Sequence, residues 1–201
     1  AAEHKDNLNN VNKYYETNHH GMINILKFCN QKLLENIVFY SSAAVYGNNF
    51  TGASETNDDL KPLNHYGKSK RLAENELKQW VLDKENRKLI IIRPSVVYGI
   101  GSKSNMNRMI QHIKKRKFVM VGSGKNVKTV CFVENLVDFS LFVTNHMHNK
   151  ISIYNYADFP HLNMISLVTK ISKKLNRRIL KLPFVFAFLI GLVFDAFSFI
   201  S

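Results

Sequence analysis

The sequence contains only two cysteines, Cys29 and Cys131, and they form no Cys-x-x-Cys pair. Its eight histidines show no metal-ligand spacing supported by acids or cysteines, so no metal site is predicted. Each cysteine lies in an apolar, periodic segment, where a buried free thiol is the expected state. The small number of cysteines argues against a disulfide framework and fits a reducing, cytoplasmic location.

Acidic residues are missing from two stretches of this chain, whose formal net charge is +13. Residues 101–130 contain eight lysines and arginines and no acid, and residues 170–181 contain six and no acid. No nucleic-acid motif and no interleaving of aromatic and basic residues accompanies them, so we predict no nucleic-acid partner. We interpret the two stretches as solvated helix and loop faces. Attraction of an anionic small molecule, or contact with nucleic acid or a membrane, stays as the alternative.

The apolar C-terminal stretch 183–201 lacks the length of a membrane span. Its uninterrupted apolar run, Phe184 to Phe194, has 11 residues before Asp195, whereas a transmembrane helix needs about 20. We predict a buried or surface-docked amphipathic helix there, with peripheral membrane contact through 183–201 as the alternative. No signal peptide is visible, although a truncated start would hide one.

What is present is an alternation of helix and strand periodicity along the chain. Helices are predicted at 10–34, 65–86, 104–116, 134–146 and 163–176, and strands at 36–41, 88–92, 151–156 and 178–182. Residues 117–133 are predicted to form two short strands around the Gly-Ser-Gly turn at 122–124. The alternation predicts an α/β fold with a parallel sheet and helices on both faces.

Two similar motifs stand at the ends of predicted strands. SSAAVYG occupies residues 41–47 and RPSVVYG occupies residues 93–99. Ligands of open α/β sheets bind at the carboxyl ends of the strands, so we expect both motifs to border a ligand site.

A tyrosine and a lysine lie one helical turn apart in HYGKSK, at Tyr66 and Lys70. A free tyrosine has a pKa of about 10 and is a poor base at neutral pH. A nearby ammonium favours the phenolate, so the pair is suited to exchange a proton with a substrate hydroxyl. Ser42 is a candidate hydrogen-bond partner for the same oxygen. A tyrosine and a lysine at this spacing also occur by chance in many helices.

The order of the motifs adds to this hypothesis. The chain resembles the extended short-chain dehydrogenase/reductase family, in its NAD-dependent nucleotide-sugar epimerase/dehydratase branch. The resemblance lies in the order strand, SSAAVYG, polar loop, YGKSK helix, strand and RPSVVYG. The resemblance runs from Ala1 to about Asp138. It implies a doubly wound, Rossmann-like sheet and NAD as the cofactor, with NADP not excluded. It also implies that Tyr66 is the catalytic acid/base, that Lys70 holds the nicotinamide ribose and lowers the tyrosine pKa, and that Ser42 assists.

The resemblance also implies binding roles for residues outside that trio. Ala2, in the opening AA, and Asn18, in NHHG, correspond to family positions beside the cofactor. Pro94 and Val97 correspond to positions where the backbone meets the nicotinamide and the sugar. The substrate-binding positions of the family correspond to Ser42, Ala43 and Lys128. Lys128 corresponds to a basic residue that binds the nucleotide phosphates.

The glycine-rich turn that anchors the pyrophosphate in this family is absent here. The resemblance therefore implies a fragment that lacks about the first third of a full chain. We expect residues 1–100 to be the C-terminal half of the dinucleotide-binding core with the catalytic residues. Residues 101–201 are expected to be mainly a small substrate-binding subdomain with the apolar C-terminal helix.

The residues after Ser42 narrow the implied reaction. Ala43 and Ala44 stand where 4,6-dehydratases of the family place Asp-Glu, and alanines cannot move protons. The remaining hypothesis is epimerisation of a nucleotide-sugar, UDP-hexose 4-epimerase-like, through a transient 4-keto intermediate. A keto-sugar reductase or another short-chain dehydrogenase is the alternative, because Val96 replaces an Asn common in 4-epimerases. A non-catalytic nucleotide-binding relative is the second alternative. The resemblance implies a homodimer formed through the helices at 10–34 and 65–86.

Overall fold

The structure is a computed structural model, and it describes residues 2–4, 10–48, 52–56, 59–102, 104–186 and 188. The chain forms two compact units, residues 1–95 with 133–157 and residues 96–132 with 158–201. The sequence predicts one domain boundary near residue 100, whereas the first unit also contains residues 133–157. The reason is that the strand at 151–156 pairs with the strand at 88–94. The functional roles predicted for the two domains stay predictions.

Helices and strands alternate through the described residues. The helices are α1 (Asn12–Tyr14), α2 (Gly21–Gln31), α3 (His65–Leu82), α4 (Asn105–Lys114), α5 (Val133–Asn145) and α6 (Met164–Lys174), with a π-helical segment at Tyr15–His20 and a 3-10 turn at Ala43–Tyr46. The strands are β1 (Asn36–Tyr40), β2 (Lys88–Pro94), β3 (Val96–Tyr98), β4 (Val119–Val121), β5 (Val127–Lys128), β6 (Val130–Phe132), β7 (Ile151–Tyr156), β8 (Leu162–Asn163) and β9 (Leu180–Leu182).

The first unit is built on a three-stranded parallel sheet in the order β1–β2–β7. The four residues from Leu89 to Ile92 in the central strand are completely buried, as expected for a strand covered on both faces. Residues of α2 and α3 pack with Leu89 and Ile91 in one core, which contains Trp80 and Cys29. The predicted α/β fold with a parallel sheet is confirmed.

Two glycines let the SSAAVYG loop approach the segment at Lys61 and the start of α3. Gly47 has a φ of +69°, and a Cβ there would lie 1.9 Å from the Lys61 carbonyl oxygen. A Cβ on Gly67 would lie 2.5 Å from the Ala44 carbonyl oxygen. Only a residue without a side chain fits at such distances. The glycine after Tyr66 therefore sets how closely α3 meets the SSAAVYG loop.

The second unit corrects one prediction. The two strands expected around the Gly-Ser-Gly turn do not pair with each other: β4 pairs in parallel with β9, β5 antiparallel with β8, and β6 in parallel with β3. The residues after the turn bond instead to the start of α6. Ile165 N donates to Gly124 O, and Met164 N donates to Asn126 O. These bonds turn the chain away from β4.

Other local predictions are confirmed with shifted ends. The predicted helix at 65–86 ends at Leu82, and the one at 10–34 contains the π-helical segment. Both cysteines are buried free thiols, as predicted, and burial raises the pKa of Cys131 to about 12. Most of the predicted C-terminal helix at 183–201 lies outside the described residues. Within the described ranges, no helix has the length and apolarity to span a membrane.

Candidate active site

Ser42 and Tyr66 meet just beyond the carboxyl end of β1. Ser42 caps the 3-10 turn, where its Oγ accepts a hydrogen bond from Ala44 N at 3.2 Å. Tyr66 stands at the start of α3, half-buried, and its phenol lies near enough to the Ser42 hydroxyl for that group to lower the Tyr66 pKa. The structure therefore brings together the two hydroxyls that the sequence predicts to act on one substrate oxygen.

Lys70 extends from the next turn of α3 toward the same strand end. Its Nζ donates to the Tyr40 carbonyl oxygen at 2.8 Å and lies 4.7 Å from the centre of the Phe39 ring. Tyr66 reaches Ser42, two residues beyond Tyr40, so the two side chains leave α3 on the same face. The proton-exchange roles of the two groups stay predictions.

Burial governs the ionisation of both groups. It raises the pKa of Tyr66, against the lowering effect of the Ser42 hydroxyl. It also lowers the pKa of Lys70 from 10.5 to about 8, against the opposing charge of Glu74. The pKa of Tyr66 is therefore raised overall in this structure, and its lowering by Lys70 stays a prediction. The loss of solvation of the phenolate outweighs other effects, and the ammonium is bonded to a carbonyl of β1.

Asn18 ties the start of the chain to α3. It lies in the π-helical segment, a type of insertion frequent at functional sites. Its Oδ1 accepts from Glu3 N at 2.9 Å, and its Nδ2 donates to Glu3 O at 2.9 Å and to Ser69 Oγ at 3.0 Å. The exposed Ala2 precedes Glu3. Asn18 is thus a positioning group for the backbone beside Ala2 and for the turn of α3 that holds Tyr66.

The other predicted site residues are divided between the two units. In the first unit, Pro94 is the buried last residue of β2, and Ala43 is an exposed residue of the 3-10 turn. In the second unit, Val97 is in β3, and Lys128 is in β5, where it pairs with Leu162. Their binding roles stay predictions.

A buried polar network beside Lys70 was missed from the sequence. Arg93 donates from Nε to Glu74 Oε1 at 3.0 Å and from Nη2 to Oε2 at 2.6 Å, and both side chains are 1% exposed. Arg93 Nη1 also donates to the Tyr46 hydroxyl at 2.7 Å, and that hydroxyl donates to Asn155 Oδ1 at 2.8 Å. The network joins α3, the SSAAVYG motif, β2 and β7. The available signal was an acid, Glu74, on the apolar face of a helix.

Some hydrogen-bonding capacity at the carboxyl ends of the strands is unused. Ser41 follows β1 and Ser95 follows β2, and both hydroxyls are buried without a partner among the described residues. Lys70 has three N–H donors, and the bond to Tyr40 uses one of them. Unpaired hydroxyls at the strand ends and spare N–H donors on Lys70 fit a polar ligand with several hydroxyl groups, such as a nicotinamide ribose.

Comparison with known proteins gives the family. The model of the NAD dependent epimerase/dehydratase family matches residues 1–157. The chain is 38% identical over 201 residues to the N-acetyl-alpha-D-glucosaminyl-diphospho-ditrans,octacis-undecaprenol 4-epimerase of Escherichia coli O157:H7, covering 98% of this chain and 60% of that protein. It is 27% identical over 173 residues to the UDP-glucose 4-epimerase of Vibrio cholerae, covering 85% of this chain and 52% of that protein.

A solved structure gives the same result for the fold. The UDP-Glc/GlcNAc 4-epimerase of Campylobacter jejuni matches with a TM-score of 0.73 and 19% identity, covering 87% of this chain and 59% of that chain. The chain thus spans between half and 60% of the length of these curated relatives. By the match over residues 1–157, the chain belongs to the NAD-dependent epimerase/dehydratase family.

Proposed function

We propose that this chain supplies the acid/base residues of an NAD-dependent 4-epimerase that acts on a hexose attached to a diphosphate. The observation that carries the proposal is the convergence on the end of β1. Tyr66 lies near the Ser42 hydroxyl there, and Lys70, from the same face of α3, bonds to Tyr40 O.

In the proposed reaction, Tyr66 takes the proton of the sugar C4 hydroxyl as hydride leaves C4, which gives a transient 4-keto sugar. Ser42 holds the same oxygen by a hydrogen bond. Tyr66 returns the proton when hydride re-enters on the opposite face, so no net oxidation occurs. Bound NAD would supply the hydride acceptor, with a positive charge that favours the phenolate. Lys70, with unused N–H donors, is the group proposed to hold its ribose.

The substrate class follows from what the named relatives share. The E. coli and V. cholerae proteins are named for sugars attached to a diphosphate, carried by a polyprenol in one and by a nucleoside in the other. Ala43 and Ala44 provide no carboxylate for dehydration. Lys128 is proposed to pair with the diphosphate, and the nucleotide-sugar of the sequence-based prediction is one of the two substrate types.

Dimerisation and location belong to the same proposal. Ile25 and Phe28 on α2 and Leu72 on α3 are exposed apolar side chains, with exposures of 50%, 52% and 38%. They support the predicted homodimer through these helices. The low cysteine content supports a cytoplasmic location.

The test compares Tyr66→Phe with Tyr154→Phe in protein expressed from the complete gene. Both variants lose one phenolic oxygen, but Tyr154 lies in β7 and packs on Phe139. We expect Tyr66→Phe to lose 10²–10⁴-fold in turnover, the usual range for a lost acid/base, with NAD binding retained, and Tyr154→Phe to remain active. UDP-N-acetylglucosamine and undecaprenyl-diphospho-N-acetylglucosamine are assayed by separating the C4 epimers.

Three results would contradict the proposal. Undiminished epimerisation in Tyr66→Phe would remove the phenol from the mechanism. Stoichiometric formation or consumption of NADH would indicate the dehydrogenase or reductase alternative. NAD binding without conversion of either substrate would indicate a non-catalytic relative.

A further inference from the structure

The net positive charge of the protein lies almost entirely in the second unit. This unit holds 14 of the 28 lysines and arginines but only 2 of the 15 acidic residues, so it carries +12 of the net charge of +13. The first unit, with 14 basic and 13 acidic residues, is almost neutral. Solvated helix faces usually mix both signs, so this segregation indicates an anionic partner for the second unit.

The fold joins the two basic stretches of the sequence into one surface. Helices α4 and α6 pack together around Ile113 and Val168, and Arg177 Nε donates to the Lys114 carbonyl oxygen at 3.1 Å. This contact places the basic residues that end α4 beside those that end α6. We call this the cationic surface, and its members are Lys114, Lys115, Arg116, Lys117, Lys170, Lys173, Lys174, Arg177 and Arg178.

The second unit also has apolar groups, some of which line a cavity at the cationic surface. A cavity of about 320 Å³ lies beside Ile110, Ile171 and Leu175, with Lys170 and Lys174 in its lining. Just after β9, Phe184, Val185, Phe186 and Phe188 are between 56% and 67% exposed. Large apolar side chains next to lysines and arginines are typical of surfaces that lie in a membrane interface.

Nucleic acids and anionic membranes are the two common polyanionic partners, and only a membrane matches both the positive charge and the exposed apolar groups. A nucleic acid would pair with the lysines and arginines through its phosphates, but it would leave the exposed phenylalanines and the apolar cavity in water. An anionic bilayer offers phosphate head groups to the cations and an acyl boundary to the apolar side chains.

We propose that the second unit docks the protein on an anionic phospholipid membrane through the cationic surface and the exposed side chains of Phe184, Val185, Phe186 and Phe188. The proposal goes beyond the proposed epimerase function and does not depend on it, since docking requires neither cofactor nor turnover. If the substrate is a polyprenyl-linked sugar, docking also brings the site to the surface where that lipid resides.

The experiment measures co-sedimentation of the protein with lipid vesicles. Phosphatidylcholine vesicles with about 30% phosphatidylglycerol should bind it at low salt and release it at about 0.5 M salt, and pure phosphatidylcholine vesicles should not bind it. In the triple variant Lys173→Gln/Lys174→Gln/Arg178→Gln, we expect the partition coefficient to fall on the order of 100-fold. This estimate takes a loss of roughly fivefold for each basic residue removed.

A matched triple variant keeps the test specific. Lys27→Gln/Lys32→Gln/Lys84→Gln removes the same charge from exposed positions of the first unit and should leave binding unchanged within about threefold. Circular dichroism checks that both variants fold. Phe186→Ser should weaken vesicle binding without changing its salt dependence.

The proposal is overturned if neutral and anionic vesicles bind equally, or if both triple variants lose binding to the same extent. Binding to an oligonucleotide without binding to anionic vesicles would overturn it in favour of a nucleic-acid partner. Epimerase activity is a separate readout, so the failure of one proposal does not entail the failure of the other.

Discussion

Replacing Glu74 with glutamine tests the buried ion pair that joins α3 to β2. Glutamine keeps the size of the side chain but removes the negative charge, so the Arg93 guanidinium remains charged in a site where both side chains are 1% exposed. Breaking a buried, bidentate pair by neutralising one partner costs about 3–5 kcal/mol of unfolding free energy. We expect the substitution also to disturb the hydrogen bond that Arg93 donates to the Tyr46 hydroxyl.

The assay is urea unfolding followed by the fluorescence of Trp80, the only tryptophan of the chain, which is 4% exposed in the core. Glu76→Gln is the matched control, since the Glu76 side chain is 42% exposed beside His19 and its loss should cost less than about 1 kcal/mol. The double variant Glu74→Leu/Arg93→Met should recover much of the loss, because hydrophobic replacement of a whole buried pair is often neutral. A Glu74→Gln protein as stable as Glu76→Gln, or a double variant less stable than Glu74→Gln, would refute the reasoning.

Gly67→Ala places a Cβ 2.5 Å from the Ala44 carbonyl oxygen and should lower the unfolding free energy by about 1–3 kcal/mol. Gly21→Ala is the control in urea unfolding, because its Cβ would lie 3.6 Å from the Glu16 carbonyl oxygen, and it should be neutral or stabilising. Equal losses of stability in the two variants would contradict the close approach of Gly67 to Ala44. The Lys70 pKa, lowered from 10.5 to about 8 in the folded state, means that the unfolded chain binds more protons between these pH values. Wild-type stability should therefore rise relative to Lys70→Met from pH 8 to 10.5, by on the order of 3 kcal/mol. A constant difference in stability across that range would contradict a depressed lysine pKa.

The local elements were predictable because the apolar pattern is strong. Strand β2 is a run of leucine and isoleucine that ends at Pro94, and β7 at Ile151–Tyr156 has the predicted bounds. The pairing of short strands was not predictable. Residues 119–132 contain three strands of two or three residues, and their partners β3, β8 and β9 are distant in the chain. Nothing in such short segments specifies a register.

The candidate site divides in the same way. Tyr66, Lys70 and Ser42 were predicted from spacing and motif order, and the tertiary structure brings the two hydroxyls near each other. The pKa of Tyr66 was expected to fall and instead rises, because desolvation depends on how much surrounding structure covers the phenol. The role of Glu74 was also missed, although its place on the apolar face of α3 with Ala73, Leu77 and Val81 was a sign of its burial.

The sequence by itself determined the order of helices and strands, the family motifs and the positions of the hydroxyls and the lysine, because periodicity and spacing are local properties. Only the tertiary structure decided which charges are buried, which carbonyl Lys70 bonds, and that two separate basic stretches form one cationic surface. Burial and long-range contact depend on segments far apart in the chain, and they set the electrostatic free energy of every ionisable group.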